Sequence, residues 1–508
     1  MTVESLFSQT VEEAFFFFMN TTGLCVTVTA HTMAELRAAR DRAAAVADVV
    51  ELRLDGVRDI DVAGALAGRR TRVIVTCRPR REGGAFDGSE AERLGFLEQA
   101  ARQGADYVDV EWGAEVAPIL ALRAGRGIVL SSHDFGGVPA DLVERYRAMR
   151  GTGAEVVKIA VTAHALVDNL PLLAFGREAT GRAPVALVAM GMPGLPSRIL
   201  AARFGSCWSY AGDGVAPGQL PPERLLSEFR FRDVGSATRV FGIVGRPVEH
   251  SVSPAIHNAA FDETGFDGVY VPLAARDAAD FRAFAAAVDL AGASVTAPFK
   301  VDLLRGSENA DAVARACGAA NTLRIDAGRW SVRNTDVDGF LHPLDGRGIE
   351  LRGARAAVIG TGGAARAVVV ALSTRGADVV VYGRNGDRAG RIAALIPGSQ
   401  ARAGLPEPGS WDLLVNATPV GTWPNTVESP IGSAALEGGN LVYDLVYNPV
   451  ETRLLRDAAA AGCRVVGGLE MLVAQAALQF EWWTATSAPR ERMRAAAANR
   501  LRQMTGAA

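Results

Sequence analysis

One regular beat constrains this chain more than any other feature. From Leu24 to about Ala211, eight short β-branched apolar runs recur. They begin at Leu24 (LCVTVTA), Asp48 (DVVELRLD), Thr71 (TRVIVTCR), Tyr107 (YVDVEW), Gly127 (GIVLSSH), Glu155 (EVVKIAV), Ala183 (APVALVAM) and Cys207 (CWSYA). Ala/Arg/Leu segments of helical period separate most of them. Two of these segments open with capping-box pairs, Thr32 with Glu35 and Ser89 with Glu92. Buried strands alternating with helices in this number predict a (β/α)8 barrel.

The beat breaks at Gly212–Ser236, where Gly and Pro cluster around a short helix. A second rhythm starts at Val240, with strands near FGIVG, GVYVPL, GASVTA, NTLRI and WSVRN. A third starts at Ala354 with ARAAVIGTGGAARAVVVAL, a plain βαβ opening, and the chain ends in an amphipathic helical stretch from Leu469. The reading is α/β throughout. A (β/α)8 barrel over 22–232 is followed by an α/β domain over 238–342 and a Rossmann-type domain over 346–468, with helices 469–505 packing back and 1–21 as an extension.

Charge is almost balanced, 53 basic residues against 56 acidic. This supplies no basic field for nucleic acid, and no apolar stretch reaches membrane-spanning length. Five scattered cysteines without a CxxC pair point to a reducing compartment, the cytoplasm, and to neither a disulfide framework nor a metal site. The Phe15–Phe18 run follows Glu4, Glu12 and Glu13 with no basic stretch before it, so it does not read as a signal or transit peptide. Within the basic set only Lys158 and Lys300 are lysines; the rest are arginines. Arg replaces Lys where a permanent charge is wanted, but not where an amine must lose its proton or attack a carbonyl.

Barrel chemistry sits at the C-terminal ends of strands. Those ends offer Glu51, Arg53, Asp55, Arg78, His133, Lys158, Met190 and Met192. Lys158 interrupts an apolar run, where an unpaired ammonium is costly and the amine pKa should fall, as a Schiff-base nucleophile requires. The plain alternative is a strand-end lysine reaching solvent, and for either methionine a packing role. ELRLD at Glu51, TCRPRREGG at Thr76, SSHDF at Ser131, KIAV at Lys158 and the pair Ser197-Arg198 together resemble type I 3-dehydroquinate dehydratase. The resemblance implies dehydration of 3-dehydroquinate through an imine on Lys158. His133 would be general acid/base, assisted by Glu82; Glu51, Arg53, Arg78, Arg198 and Gln219 would hold substrate. The family's Ser-Ala-Pro-Gly-Gln loop reads Val215-Ala216-Pro217-Gly218-Gln219 here, one hydroxyl fewer.

In the third segment, Gly360-Thr-Gly362-Gly363-Ala364-Ala365 follows a strand and opens a helix, a turn suited to pyrophosphate. The next strand ends on Arg384, with Asn385 and Arg388 nearby, where an NAD site wants an acid. Guanidiniums there favour a 2′-phosphate, hence NADP, unless Arg384 merely belongs to the arginine excess. Upstream, Ser253 reads as a helix cap and Pro254 as the first helical residue. SVSP at Ser251, SVTAPFK ending at Lys300, GAANT with Asn321, NTD with Asp336, VNATPVG, DLVYNP and GLEMLVAQ together resemble shikimate dehydrogenase. The resemblance implies NADP-linked reduction of 3-dehydroshikimate, with Lys300 and Asp336 as the catalytic pair. Ser251, Ser253, Asn321, Thr335 and Gln475 would bind substrate, and Tyr447 with Met471 would line the nicotinamide pocket. Asn416, Thr418 and Gly468 would lie near the cofactor.

The implied product of the first half is the implied substrate of the second. The chain therefore reads as a bifunctional dehydratase–dehydrogenase acting on small molecules, with neither nucleic acid nor membrane as partner. Its oligomeric state is open, a monomer included. Two alternatives stand beside it: a second half that prefers quinate or NAD, and a non-catalytic metabolite sensor built on these domains.

Overall fold

The structure is a computed structural model describing residues 22–179 and 184–505; the Phe-rich segment lies outside the described residues. The chain divides into two compact units among those residues, one reaching to 238 with 271–288 added, the other formed by 239–270 and everything from 289 onward. The stretch 271–288 falls inside the 238–342 domain read from sequence, yet it belongs to the first unit. There the Asp280 carboxylate accepts from the backbone N–H groups of Leu166 and Val167 at 3.1 and 2.9 Å.

The first unit is the barrel. Its strands are β1 (Gly23–Thr29), β2 (Val49–Arg53), β3 (Arg72–Thr76), β4 (Tyr107–Glu111), β5 (Ile128–Asp134), β6 (Val156–Thr162), β7 (Val185–Met190) and β8 (Trp208–Ala211). They form one sheet in the order β7-β6-β5-β4-β3-β2-β1-β8. The remaining seam is bridged where the Cys207 N–H donates to the Val185 carbonyl at 2.8 Å. Both capping boxes are present, at Thr32 and at Ser89.

The period of two along each strand explains why a polar centre can sit in this core. Cys25, Val49, Ile74, Tyr107, Val129 and Val156 form an apolar layer inside the barrel. The residues two further on are Thr27, Glu51, Thr76, Asp109, Ser131 and Lys158, all buried. One strand face thus carries an apolar floor and, one step toward the strand C-termini, a ring of hydroxyls and charges.

Two further sheets follow the barrel along the chain. The first contains β9 (Arg239–Gly245), β10 (Gly268–Ala274), β11 (Leu290–Val295), β12 (Asn309–Ala310), β13 (Thr322–Asp326) and β14 (Arg329–Arg333), ordered β10-β9-β11-β13-β14-β12. It is mixed: β9 and β11 are parallel, while β13 runs antiparallel to both β11 and β14. The second sheet is all parallel, β17-β16-β15-β18-β19-β20. It is made of β15 (Arg355–Ile359), β16 (Asp378–Gly383), β17 (Gln400–Ala403), β18 (Leu413–Asn416), β19 (Leu441–Asp444) and β20 (Arg464–Gly467). Its order reverses beside β15, which places the loop after β15 at the sheet's topological switch point. The short strands β12 and β17 escaped the sequence reading. β12 has only two residues, and β17 is exposed along its whole length with no apolar alternation.

Candidate active sites

In the barrel the ring of charged side chains closes on Lys158. Its Nζ lies 3.3 Å from Glu51 Oε1 and 3.2 Å from Asp109 Oδ2, and 4.1 Å above the Tyr210 ring. The lone amine in an apolar pocket expected from the sequence is therefore corrected: two carboxylates and an aromatic face surround it. Alternation hid this, because β4 reads as an apolar run although it carries acids at 109 and 111. That pair, two apart in Tyr107–Trp112, was the available signal.

Each carboxylate is itself held. Thr27 and Thr76 hydroxyls donate to Glu51 at 2.8 and 3.0 Å, and the Ser131 hydroxyl donates to Asp109 at 2.6 Å. Burial opposes ionisation of Glu51, but Lys158 with Arg53 and Arg78 outweighs it and holds the group below the ordinary carboxylate range. Asp109 is displaced further downward, burial again being overcome, here by Arg78 and Lys158.

Arg78 is engaged inside the network, with Nη1 at 2.8 Å from both Glu111 and Ser131 and 3.0 Å from Asp109. Arg53 is clamped by both oxygens of Asp55 at 2.7 and 2.8 Å. Both guanidiniums are thus paired with acids, and Arg198 differs from them. It is 2% exposed, and among the described residues its guanidinium donates only to the carbonyls of Tyr210 and Pro217 and its Nε has no partner. Burial without an acid pulls its pKa down to about 10. Gln219 donates weakly to Thr27 at 3.4 Å and leaves its buried Oε1 unmatched.

His133 stands two residues beyond Ser131 on β5, its Nδ1 2.9 Å from Glu82 Oε2. Burial, then the nearby Arg78 and Lys158 cations, push the imidazole well below its usual pKa. Burial also lifts Glu82, to about 7, with Glu111 and Asp109 adding to the rise against Arg78. The imidazole is consequently neutral near pH 7, the state a general base needs. Met190 is packed in the barrel core.

The second unit gathers a different cluster. Lys300, first residue of the helix Lys300–Arg305, donates to Asp336 Oδ2 at 2.6 Å. Asp336, first residue of the helix Asp336–Asp345, accepts from Asn321 Nδ2 through Oδ1 at 2.7 Å. Asn321 also reaches the Thr335 hydroxyl at 3.0 Å and Gln475 Oε1 at 3.3 Å. Asn334, which sequence reasoning missed, accepts from the Asp336 N–H at 3.0 Å and so fixes the helix start. Ser253 is not a cap: the helix Ser253–Thr264 begins on it, and Ser251 Oγ accepts its N–H at 3.2 Å.

The nucleotide turn lies against this cluster. Gly360 has φ +131, and a Cβ there would stand 2.7 Å from the Ala417 carbonyl, so only glycine fits. The helix Gly363–Thr374 starts from Gly362 without a side-chain cap, leaving its first N–H groups to an anion. A Cβ on Gly363 would approach Lys300 Cδ to 3.0 Å, so the turn and the lysine meet. Ala364 and Ala365 begin that helix with no bulk to block the turn. Arg384 and Arg388 are exposed and carry no ion pair among the described residues, while Asn385 caps the next helix by accepting the Arg388 N–H. The residues therefore fit a dinucleotide bearing an extra phosphate.

Asn416 is a brace: its amide donates to Asp444 at 2.9 Å and its oxygen accepts from the Thr418 hydroxyl at 2.7 Å. At Gly468 a Cβ would meet the Leu445 carbonyl at 2.3 Å, so glycine lets the helix Gly468–Thr484 abut the loop carrying Tyr447. The Tyr447 hydroxyl is raised in pKa by burial. Met471 packs against the hydrophobic core with Phe340 and Tyr443.

These geometries define a class: a lysine-centred (β/α)8 barrel followed by a lysine–aspartate site beside a glycine turn. Comparison with known proteins makes it specific. Residues 24–236 match the type I 3-dehydroquinase family, 243–323 the shikimate dehydrogenase substrate binding domain, and 468–498 the shikimate 5'-dehydrogenase C-terminal domain. The Arabidopsis thaliana chloroplastic bifunctional 3-dehydroquinate dehydratase/shikimate dehydrogenase is 35% identical over 88% of this chain and 79% of its own length. The shikimate dehydrogenase (NADP(+)) of Methanopyrus kandleri is 43% identical over 53% of this chain and 98% of its own. A crystal structure of shikimate dehydrogenase in complex with NADP+ superposes with a TM-score of 0.50 at 31% identity, covering 53% of this chain and 97% of that one. The chain belongs to the bifunctional 3-dehydroquinate dehydratase/shikimate dehydrogenase family.

Proposed function

We propose that the chain converts 3-dehydroquinate to 3-dehydroshikimate in its barrel and reduces 3-dehydroshikimate to shikimate with NADPH in its second unit. The observation that carries this reading is that the chain's two lysines each sit in an ion-paired cluster suited to a different proton task. The domain limits read from sequence and a cytoplasmic setting go with it, and the five buried free cysteines suit a reducing compartment.

In the barrel, Arg198 takes the substrate carboxylate, the one anion its buried guanidinium lacks. Lys158 gives up a proton within the Glu51/Asp109 pair and adds to the ketone carbon. Loss of water from that adduct leaves an iminium, which withdraws electrons from the adjacent C–H. Neutral His133 removes that proton, and the electron pair expels the hydroxyl group, to which the imidazolium returns the proton as water leaves. Hydrolysis of the product imine frees Lys158. The carboxylates that pair the resting ammonium also stabilise the iminium, so the positive charge never stands alone in the core.

In the second unit NADPH, when bound, supplies a hydride to the carbonyl carbon. Lys300 donates the proton to the carbonyl oxygen, and Asp336 orients the amine and balances its charge. The Gly360–Gly363 turn with the following helix start would hold the pyrophosphate, and Arg384 and Arg388 the 2′-phosphate. The Ser251 and Ser253 hydroxyls would meet the substrate carboxylate, and Asn321, Thr335 and Gln475 its hydroxyls.

One coupled assay tests both halves. With 3-dehydroquinate and NADPH the full chain should oxidise NADPH without any added enzyme. Failure to do so, while 3-dehydroshikimate with NADPH is turned over, would remove the dehydratase. Failure with both substrates would remove the dehydrogenase.

A further inference from the structure

We propose that Gln479 is a positioning residue for the Lys300–Asp336 pair, acting through a buried chain of hydrogen bonds that all donate toward Asp336. The direction is forced from the carboxylate end. An ionised Asp336 only accepts, so Asn321 must turn its NH2 toward it, at 2.7 Å. The Asn321 Oδ1 then faces the Thr322 hydroxyl, which donates to it at 2.7 Å. That hydroxyl has given its only proton, so its oxygen needs a donor, and Gln479 Nε2 supplies one at 3.1 Å. Gln479 must therefore turn Oε1 the other way, where the Ser294 hydroxyl donates at 2.6 Å, and Ser294 in turn accepts from the Tyr270 hydroxyl at 2.6 Å.

Gln479 is the link that joins Thr322 to Ser294. It lies four residues after Gln475 on the helix Gly468–Thr484, hence on the same face, and is 1% exposed. Its Nε2 also approaches the Asn321 backbone carbonyl at 3.4 Å, so it holds Asn321 from the main chain as well as through Thr322. With apolar bulk at 479, the Thr322 oxygen and the Ser294 proton lose their partners together. The Thr322 hydroxyl becomes free to turn from Asn321 toward the Thr335 hydroxyl, 3.3 Å away. Asn321 then loses one of the contacts that aim its amide at Asp336, and the carboxylate that orients Lys300 is loosened.

Because the chain has only two lysines, amine reactivity reads this directly. The full-length protein and its Gln479→Leu variant are labelled with trace acetic anhydride at one fixed pH, and the two lysine peptides are quantified by mass. Lys300 should label about threefold faster or more in the variant, with Lys158 unchanged as internal reference. Thr322→Val, an isosteric cut one bond further along, should do the same and keeps the test alive if Gln479→Leu misfolds. In shikimate oxidation both variants should lose about tenfold in kcat with KM for NADP+ unchanged. Lys300 labelling at the wild-type rate in both variants overturns the proposal, as does a parallel rise at Lys158, which would signal general loosening. The kinetic arm rests on the proposed dehydrogenase activity. A wild-type protein inert toward shikimate would sink that reading, whereas the labelling arm decides the role of Gln479 without it.

Discussion

The two lysine sites solve opposite problems with the same side chain. Lys158 is enclosed: two carboxylates and a tyrosine ring face its amine, and hydroxyls or arginines tie each carboxylate in turn. Lys300 meets one carboxylate, and its side chain is 18% exposed. An amine that becomes an iminium carries positive charge through several steps, and burying that charge unpaired would cost about 3–5 kcal/mol. An amine that passes one proton to an oxygen needs a single orienting partner and access to exchange. Charge compensation thus follows how long the charge must persist.

The comparison breaks most visibly if either lysine is replaced by arginine. Lys158→Arg keeps the cation but cannot form an imine, so dehydration should fall by about 10⁴ or more, to background, while shikimate oxidation stays within experimental scatter. Borohydride added with 3-dehydroquinate should increase the mass of the wild-type protein and not that of this variant. Equal trapping would end the imine mechanism. Lys300→Arg should do the reverse, costing roughly 10²–10⁴ in dehydrogenase kcat because a guanidinium does not release its proton.

Much of this contrast was legible in the sequence, and the reason is periodicity. The regular strand beat put Lys158 and Glu51 at the C-terminal ends of barrel strands, and the motif order pointed to His133, Glu82, Lys300, Asp336 and Asn321. What stayed hidden were partners brought in by a different strand. Asp109 and Tyr210 lie on β4 and β8, the two short runs, and nothing local in either announces a lysine from β6. Arg78 and Arg198 look alike as letters. Only the structure separates the one tied to Glu111 and Asp109 from the one left without an acid. Ser253 misled for a similar reason: Ser-Pro reads as cap and first residue, but the preceding turn shifts the helix start by one.

That separation between the arginines sharpens into a test of the barrel alone. Arg198→Ala removes the guanidinium held ready for a carboxylate and should raise KM for 3-dehydroquinate by about 10–10². Because Arg198 has no acidic partner among the described residues, little stability should be lost. A Tm drop as large as that of Arg78→Ala would mean that Arg198 is structural. In the second unit, Arg384→Ala should weaken NADPH by about tenfold and leave NADH unchanged, since the lost contact is with the 2′-phosphate. Equal losses for both nucleotides would remove that role.

The smallest expected effect concerns the pair that the dehydrogenase site lacks altogether, His133 and Glu82. Glu82, lifted to about 7, changes charge in the working range, whereas His133 is neutral on both sides of that value. Below pH 7 the carboxyl is protonated and contributes no charge. Above it the carboxylate accepts the Nδ1 proton at 2.9 Å, leaves Nε2 bare as the base, and stabilises the imidazolium that forms when the substrate proton is taken. Dehydratase kcat should therefore rise as pH increases through about 7 and then level. In Glu82→Gln the amide oxygen still orients the ring but never ionises. The profile should flatten between about pH 6 and 8, at a rate only a few-fold below wild type on the alkaline side. A variant that keeps the same rising limb would mean that some other group titrates there. Glu82 would then steer the ring without setting its charge, and the barrel, like the second unit, would run on a single proton carrier.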